Sequence, residues 1–212
     1  NPNVLRWLTR FYLPIGKKVV IIGGSMAGCE LAEFLVKRGR NVTVLEQIAK
    51  EAKADRSKVR RVQRIEGQWL TEQGGPQFRA ELIFEGGKMI MESDQPGNLG
   101  GGGTRPGPLH YCFFGLLSCY TSVFVATASQ MGIPLKRLTA RVEGDLNFAR
   151  VFGLSQEPVM EEVRISIQVE ADAPAEKLEE VERLAYERCP AVYALTHPVK
   201  LTTSMEVLNR RP

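Results

Sequence analysis

This sequence of 212 residues contains only two histidines and four cysteines. The cysteines form no Cys-x-x-Cys pair and no tight cluster with His110 or His197. Structural zinc sites need such clusters, so we predict that the protein has no metal site. The cysteines are Cys29, Cys112, Cys119 and Cys189.

The sequence also lacks a basic face and a secretory signal. Its 28 basic and 24 acidic residues are interspersed and leave a net charge of +4. No run of lysine and arginine alternates with aromatic residues, so we expect no nucleic-acid partner. Without a secretory signal, the expected location is the reducing cytoplasm, where cysteines serve as thiols or redox centres rather than as structural disulfides.

Charge is missing from one long stretch, residues 106–134, although a quarter of the whole chain is charged. Pro108 suits a helix start, and Gly132 with Pro134 suits a helix stop, so the pattern predicts a helix over residues 109–131. A helix that is apolar on all sides lies in a core or in a bilayer. The serines and threonines of this helix favour a position in a protein core, so we expect no membrane association. Such a helix would have to be covered by a second subunit or by a sheet that wraps around it.

The N-terminal region has the pattern of a β-α-β unit. An apolar run at 17–22 predicts a strand, 27–38 a helix, and 42–45 a second strand that ends beside an acid. Glycines between the first strand and the helix would let backbone amides approach a pyrophosphate, and the acid could bind a ribose. The residues placed for this role are Gly23, Gly24, Gly28 and Glu46.

Residues 17–47 resemble the nucleotide-binding segment of FAD/NAD-linked pyridine-nucleotide oxidoreductases, and the resemblance implies FAD or NAD as a ligand. Ser25 stands where that family usually has its second glycine. No third parallel strand is predicted downstream. The segment is therefore a nucleotide site, a remnant that keeps the local fold, or part of a flavin- or NAD-dependent oxidoreductase.

The rest of the chain predicts an α+β fold, because strands are grouped in hairpins around two helices. We divide the chain into a partial Rossmann-like unit at 1–50, a linker at 51–61 and a second domain at 62–212. Gly86-Gly87 signals a hairpin turn, and Asp172 is the expected N-cap of the second helix. The predicted strands are 62–70, 78–84, 88–92, 138–142, 163–169 and 199–207, and the second helix ends at Arg188.

The order of these elements, Cys119 in mid-helix and the late Cys189-Pro190 resemble the osmotically inducible protein C and organic hydroperoxide resistance family over about residues 60–208. The resemblance implies antiparallel sheets around a long buried helix, in an intertwined homodimer with two sites at the subunit interface. It implies that Cys119 is the peroxidatic cysteine and Cys189 the resolving cysteine. The substrate would be an organic hydroperoxide, the reductant a dithiol, and this domain would require no cofactor.

Two features depart from that family. Its hydroperoxide-reducing members carry a glutamate near the start of the long helix, where this chain has Pro108-Leu109-His110. Those members also carry an arginine in the first hairpin. Arg79 is the candidate for that residue in this chain, and the alternative is that Arg79 is an ordinary surface arginine. A redox sensor or small-ligand binder that performs no turnover therefore remains an alternative to a peroxidase.

Overall fold

The computed structural model describes residues 18–21, 31, 34–36, 41–44, 52–72 and 74–207. The chain divides into two compact units, Asn1–Arg64 and Ile65–Pro212. Among the described residues, the first unit contains one two-stranded sheet, and the second contains a three-stranded and a two-stranded sheet.

The first unit contains two short parallel strands, β1 (Lys18–Ile21) and β2 (Asn41–Val44). Residues 31 and 34–36 are helical, and Leu35 is buried, as expected for a helix that crosses over between parallel strands. The predicted β-α-β order is therefore confirmed for these residues. The nucleotide-site candidates Gly23, Gly24, Gly28 and Glu46 lie outside the described residues.

The second unit begins with an antiparallel meander of β3 (Glu66–Trp69), β4 (Phe78–Phe84) and β5 (Gly87–Ser93). The first strand is shorter than the predicted 62–70. The hairpin turns at Glu85-Gly86, one residue before the predicted Gly86-Gly87, and Gly87 is the first residue of β5, with a φ of 146° that favours glycine. This turn fixes the register in which Phe84 faces Gly87 and Arg79 faces Glu92.

The uncharged stretch forms helix α1 (Pro108–Gln130), within one residue of the predicted bounds. Pro108 occupies the first turn, and Gly132, with a φ of 71°, follows the C-terminus. Among the described residues this is the one helix long and apolar enough to cross a membrane, a test that core helices also pass. One of its faces is buried, whereas Phe114 and Val125 on other faces are exposed.

A long hairpin and two helices complete the unit. Strands β6 (Leu135–Leu146) and β7 (Met160–Ala171) pair antiparallel and extend beyond the predicted 138–142 and 163–169. Helices α2 (Ala175–Arg188) and α3 (Pro190–Thr196) follow. The core of the unit consists of Leu116, Tyr120, Phe124 and Ala128 from α1, packed with Ile133, Val181, Ala185, Cys189 and Val192.

Two predictions in this region were wrong, and one helix was missed. The N-cap of α2 is Pro174 rather than Asp172, whose side chain pairs with Lys136. Helix α3 was not predicted, because Pro190 suggested a helix stop, whereas it occupies the first turn of a new helix. The predicted strand at 199–207 has no regular secondary structure and is exposed along its length, so it has no strand to pair with in a single chain.

Candidate thiol site

Cys119 lies near the middle of α1, beside the buried face of that helix. Leu116 and Tyr120, three residues before it and one residue after it, are both buried in the core. Cys119 itself is partly buried and packs against the core cluster. The helical period therefore places its thiol at the border between the core and the surface.

Cys189 lies at the junction of two helices, where it is the C-cap of α2 and the N-cap of α3. Its backbone N–H donates to the carbonyl of Ala185, and its own carbonyl accepts from the N–H of Tyr193. Pro190 cannot continue α2 but suits the first turn of α3, so the chain changes direction at Cys189. The residue is 0% exposed, and the junction directs it into the core.

The fold brings these two cysteines together although 70 residues separate them in the sequence. The Cys189 thiol donates to the Cys119 sulfur with an Sγ–Sγ distance of 3.6 Å. A disulfide requires about 2.05 Å, so the two sulfur atoms must approach by roughly 1.5 Å. Small side-chain movements can provide that shift.

The surroundings of Cys119 favour the neutral thiol. Burial raises the pKa of Cys119, and the adjacent Cys189 raises it further. A hydrogen bond from the backbone N–H of Ala191 lowers this pKa, because Ala191 lies in the first turn of α3, where amide groups have no partner within the helix. Burial is the largest of these effects, so in one chain the thiolate is a minor species at neutral pH.

Arg79 lies on β4 and pairs with Glu92, which is directly opposite on β5. The guanidinium donates to one carboxylate oxygen through Nε at 2.9 Å and Nη2 at 2.7 Å. Arg105 donates to the other oxygen at 2.8 Å, and these two arginines hold the pKa of Glu92 below its usual range. Two arginines share one carboxylate, so the cluster has a net positive charge.

This arginine cluster is connected to the start of α1 rather than to its middle. The hydroxyl of Tyr111 donates to the backbone carbonyl of Glu92 at 2.6 Å. Tyr111 precedes Cys119 by eight residues, which corresponds to about 12 Å along a helix. Within one chain, the described hydrogen bonds and ion pairs of Arg79 do not reach the cysteine pair.

The sequence analysis missed Glu92 and Arg105. The observed hairpin register places position 79 opposite position 92, whereas a two-residue turn at the predicted Gly86-Gly87 would place it opposite position 94. The one-residue error in the predicted turn therefore concealed the pairing with Glu92. Arg105 has no comparable signal, because it lies in an irregular loop before α1. Glu92 is the carboxylate that pairs with Arg79, although it lies on a strand and not at the helix start.

The glycine-rich loop before α1 is organised by the buried Asp94. The carboxylate accepts hydrogen bonds from the backbone N–H of Gly102, and from the backbone N–H and hydroxyl of Thr104. These bonds, that from the Thr104 backbone first, hold the pKa of Asp94 below its usual value. A Cβ on Gly101 would lie 1.9 Å from the carbonyl oxygen of Gln95, so the loop requires glycine there. The buried carboxylate therefore fixes the course of the loop that leads into α1.

Cys112 is a free, exposed thiol on the first turns of α1. No described cysteine lies within hydrogen-bonding distance of it, whereas Cys119 and Cys189 contact each other. Cys29 lies outside the described residues. Within the described part of the chain, the close dithiol is thus formed by Cys119 and Cys189.

The second unit is thus an α+β domain with a close thiol pair at the edge of its core, and comparison with known proteins finds family matches in two parts of the chain. Residues 100–204 match the family described as OsmC-like protein, and residues 18–64 match pyridine nucleotide-disulphide oxidoreductase. The chain therefore contains an OsmC-like domain, preceded by a segment related to pyridine-nucleotide oxidoreductases. Both resemblances noted in the sequence are confirmed.

Solved structures of OsmC-like proteins are similar to this chain over about two thirds of its length. An OsmC-like protein of unknown function from Vibrio cholerae is 18% identical, with a TM-score of 0.50 over 65% of this chain and 95% of that chain. An organic hydroperoxide resistance protein OsmC from Legionella pneumophila is 18% identical, with a TM-score of 0.47 over 65% of this chain and 92% of that chain. No curated protein is significantly similar to this chain.

Proposed function

We propose that the OsmC-like domain is a thiol-dependent peroxidase that reduces organic hydroperoxides through Cys119 and Cys189. The observation that carries this proposal is the 3.6 Å distance between the two sulfur atoms. Two free cysteines that are separated by 70 residues, one in the middle of α1 and the other at the junction of α2 and α3, rarely come this close by chance. A close dithiol of this kind can be oxidised reversibly.

Cys119 is the cysteine that the substrate can reach, because it is partly exposed whereas Cys189 is fully buried. The Cys119 thiolate attacks the terminal, hydrogen-bearing oxygen of the hydroperoxide. An S–O bond forms, the O–O bond breaks, and the alkoxide leaves and takes up a proton to become the alcohol. The product on the protein is a sulfenic acid at Cys119.

Cys189 completes the oxidative half of the cycle. Its sulfur attacks the Cys119 sulfenic acid, an S–S bond forms, and the sulfenic oxygen leaves as water with the thiol proton. The two thiols have then supplied the two electrons that reduce the peroxide. An external dithiol restores both thiols by exchange and becomes a disulfide itself. No metal or organic cofactor is needed for these steps.

The reaction requires a positive charge near Cys119, since burial raises the pKa of that thiol. We propose that Arg79 of a second subunit supplies it. The sheet that carries Arg79 presents large apolar side chains to solvent, among them Trp69 at 62% and Ile83 at 74% exposed, and α1 presents Phe114 at 71%. These surfaces support a homodimer in which the sheet of one subunit covers the helix of the other.

The names of similar structures support the substrate class at the level of the family. Proteins from Legionella pneumophila and Jannaschia are named as organic hydroperoxide resistance or OsmC-like hydroperoxide resistance proteins. An apolar environment around Cys119 also suits an organic hydroperoxide better than hydrogen peroxide. For the protein as a whole we propose a cytoplasmic antioxidant role without nucleic-acid or membrane partners.

The function is tested by following the consumption of cumene hydroperoxide with a dithiol reductant in excess. We expect turnover by the wild-type protein, slower turnover with hydrogen peroxide, and none by Cys119→Ser. Cys112→Ser is the matched control on the same helix and keeps wild-type activity. If Cys112→Ser loses activity while Cys119→Ser retains it, the reactive thiol is Cys112 and the proposal is wrong.

A further inference from the structure

The Ile65–Pro212 unit contains a cavity of about 520 Å³ between α1, β7, α2 and α3. This volume lies in the range of small-molecule sites. Neither cysteine of the thiol pair lines the cavity, so it is separate from the site of peroxide chemistry. Its apolar wall is formed by Leu116, Val163, Ile165, Val192 and Leu195 together with Met160.

The charged residues of the cavity wall are all acidic. Glu161, Glu162 and Glu182 line it. Glu162 pairs with Arg164, but that arginine also pairs with Asp145, so its charge is already shared by two carboxylates. Among the described residues Glu182 forms no ion pair, and Glu161 contacts only the side-chain amide of Asn147, at 3.4 Å. The cavity therefore carries negative charge that the described cations do not balance.

Tyr120 provides a second, independent indication of a ligand. It is 4% exposed and lines the cavity. Its hydroxyl has no hydrogen-bond partner among the described residues, although buried tyrosine hydroxyls usually have one. Burial, followed by the charge of Glu182, raises the pKa of Tyr120 to about 12. The phenol thus stays protonated at physiological pH and can donate a hydrogen bond into the cavity.

We propose that this cavity binds a small amphipathic organic cation. Its apolar body packs against the wall of leucine, valine and isoleucine side chains, and its ammonium group pairs with Glu182 and Glu161. The Tyr120 hydroxyl donates to an acceptor atom of the ligand when one is present. Hydroperoxide reduction at Cys119 is not required for this binding, and the proposal does not rest on it.

The test uses 4-phenylbutylamine as the probe and the full-length protein, with binding followed by isothermal titration calorimetry. Two matched probes keep the apolar body and change the head group: 4-phenylbutanol is neutral, and 4-phenylbutyrate is anionic. We expect the amine to bind about tenfold more tightly than the alcohol, and the carboxylate to bind least. Added salt weakens amine binding, because an ion pair contributes to it.

Three variants locate the site. Glu182→Gln removes one charge at nearly constant shape and weakens amine binding about three- to tenfold without affecting the alcohol. Leu195→Trp places a bulky side chain at the exposed rim of the cavity and abolishes binding of both probes. Glu176→Gln is the control, since Glu176 lies on the same helix α2 but outside the cavity. We expect it to keep wild-type affinity.

Several outcomes would overturn the proposal. Equal affinity for the amine, alcohol and carboxylate would exclude charge recognition. Unchanged amine binding in both Glu182→Gln and Leu195→Trp would place the probe elsewhere. Absence of amine binding to the wild-type protein, including the case in which a second copy of the chain fills the cavity, would also refute it.

Discussion

Replacing Cys189 by serine separates the roles of the two thiols. Cys189 is 0% exposed and is the N-cap of α3, a position where its own side chain makes no capping hydrogen bond. Serine is close to cysteine in shape and is among the preferred N-cap residues, so its hydroxyl can accept from an amide of the first turn of α3. We expect a change in the free energy of unfolding within about 1 kcal/mol, so that any change in chemistry reflects the lost thiol.

The chemical effect should be large. In the wild-type protein the Cys119 sulfenic acid has a thiol whose sulfur lies 3.6 Å away, and an intramolecular reaction at that distance outcompetes any dissolved reagent. In Cys189→Ser the sulfenic acid persists. It should react with dimedone at least about tenfold more than in the wild-type protein, and excess peroxide should oxidise Cys119 further to the sulfinic acid.

The assay is peptide mass spectrometry after one equivalent of cumene hydroperoxide in the presence of dimedone. Cys112→Ser is the control and should behave as wild type, because Cys112 is exposed and does not contact the pair. Two results would refute the reasoning. One is equal dimedone labelling of Cys119 in wild type and Cys189→Ser, and the other is labelling of Cys112 in place of Cys119.

Three further predictions follow from the core, the arginine cluster and the N-terminal segment. Phe124→Ala, at a side chain 1% exposed, should lower the free energy of unfolding by about 3–5 kcal/mol in denaturant titration, with a smaller loss arguing against the core as described. In Arg79→Gln, alkylation of Cys119 should rise about tenfold per pH unit between about pH 6 and 8, because burial raises the pKa of Cys119 and only its thiolate reacts. Arg105→Gln should keep the flatter wild-type profile, and identical profiles for both variants would exclude a role for Arg79. If the segment matching pyridine nucleotide-disulphide oxidoreductase binds FAD, the purified protein should show the absorbance of bound flavin. A colourless protein would exclude bound FAD and leave two interpretations of the segment, an NAD site or a remnant that binds no nucleotide.

Local patterns were sufficient to predict helix α1 and the hairpins. Helix α1 is framed by Pro108 and by Gly132, two residues whose backbone preferences act without tertiary context. The alternation along β7 was equally clear, although its ends were not, because strand ends depend on the partner strand. The fold class followed from the order of these elements.

The site was harder to predict, since it depends on contacts between distant segments. The pairing of Cys119 with Cys189 came from the family resemblance, and no spacing within the sequence implied it. The pairing of Arg79 with Glu92 depends on the exact hairpin register, which the predicted turn missed by one residue. The cavity beside Tyr120 could not be predicted either, because four separate elements form its wall. The sequence pattern of residues 199–207 predicted a strand, but this exposed segment forms none, because a strand needs a neighbouring strand to pair with.

The central claim is that Cys119 and Cys189 form a functional dithiol. Intact and peptide mass spectrometry of the wild-type protein, before and after one equivalent of cumene hydroperoxide, tests it most directly. We predict the loss of two hydrogen atoms and a peptide pair joined through Cys119 and Cys189, both reversed by a dithiol. Persistence of both cysteines as free thiols, while peroxide remains unconsumed, would contradict the claim.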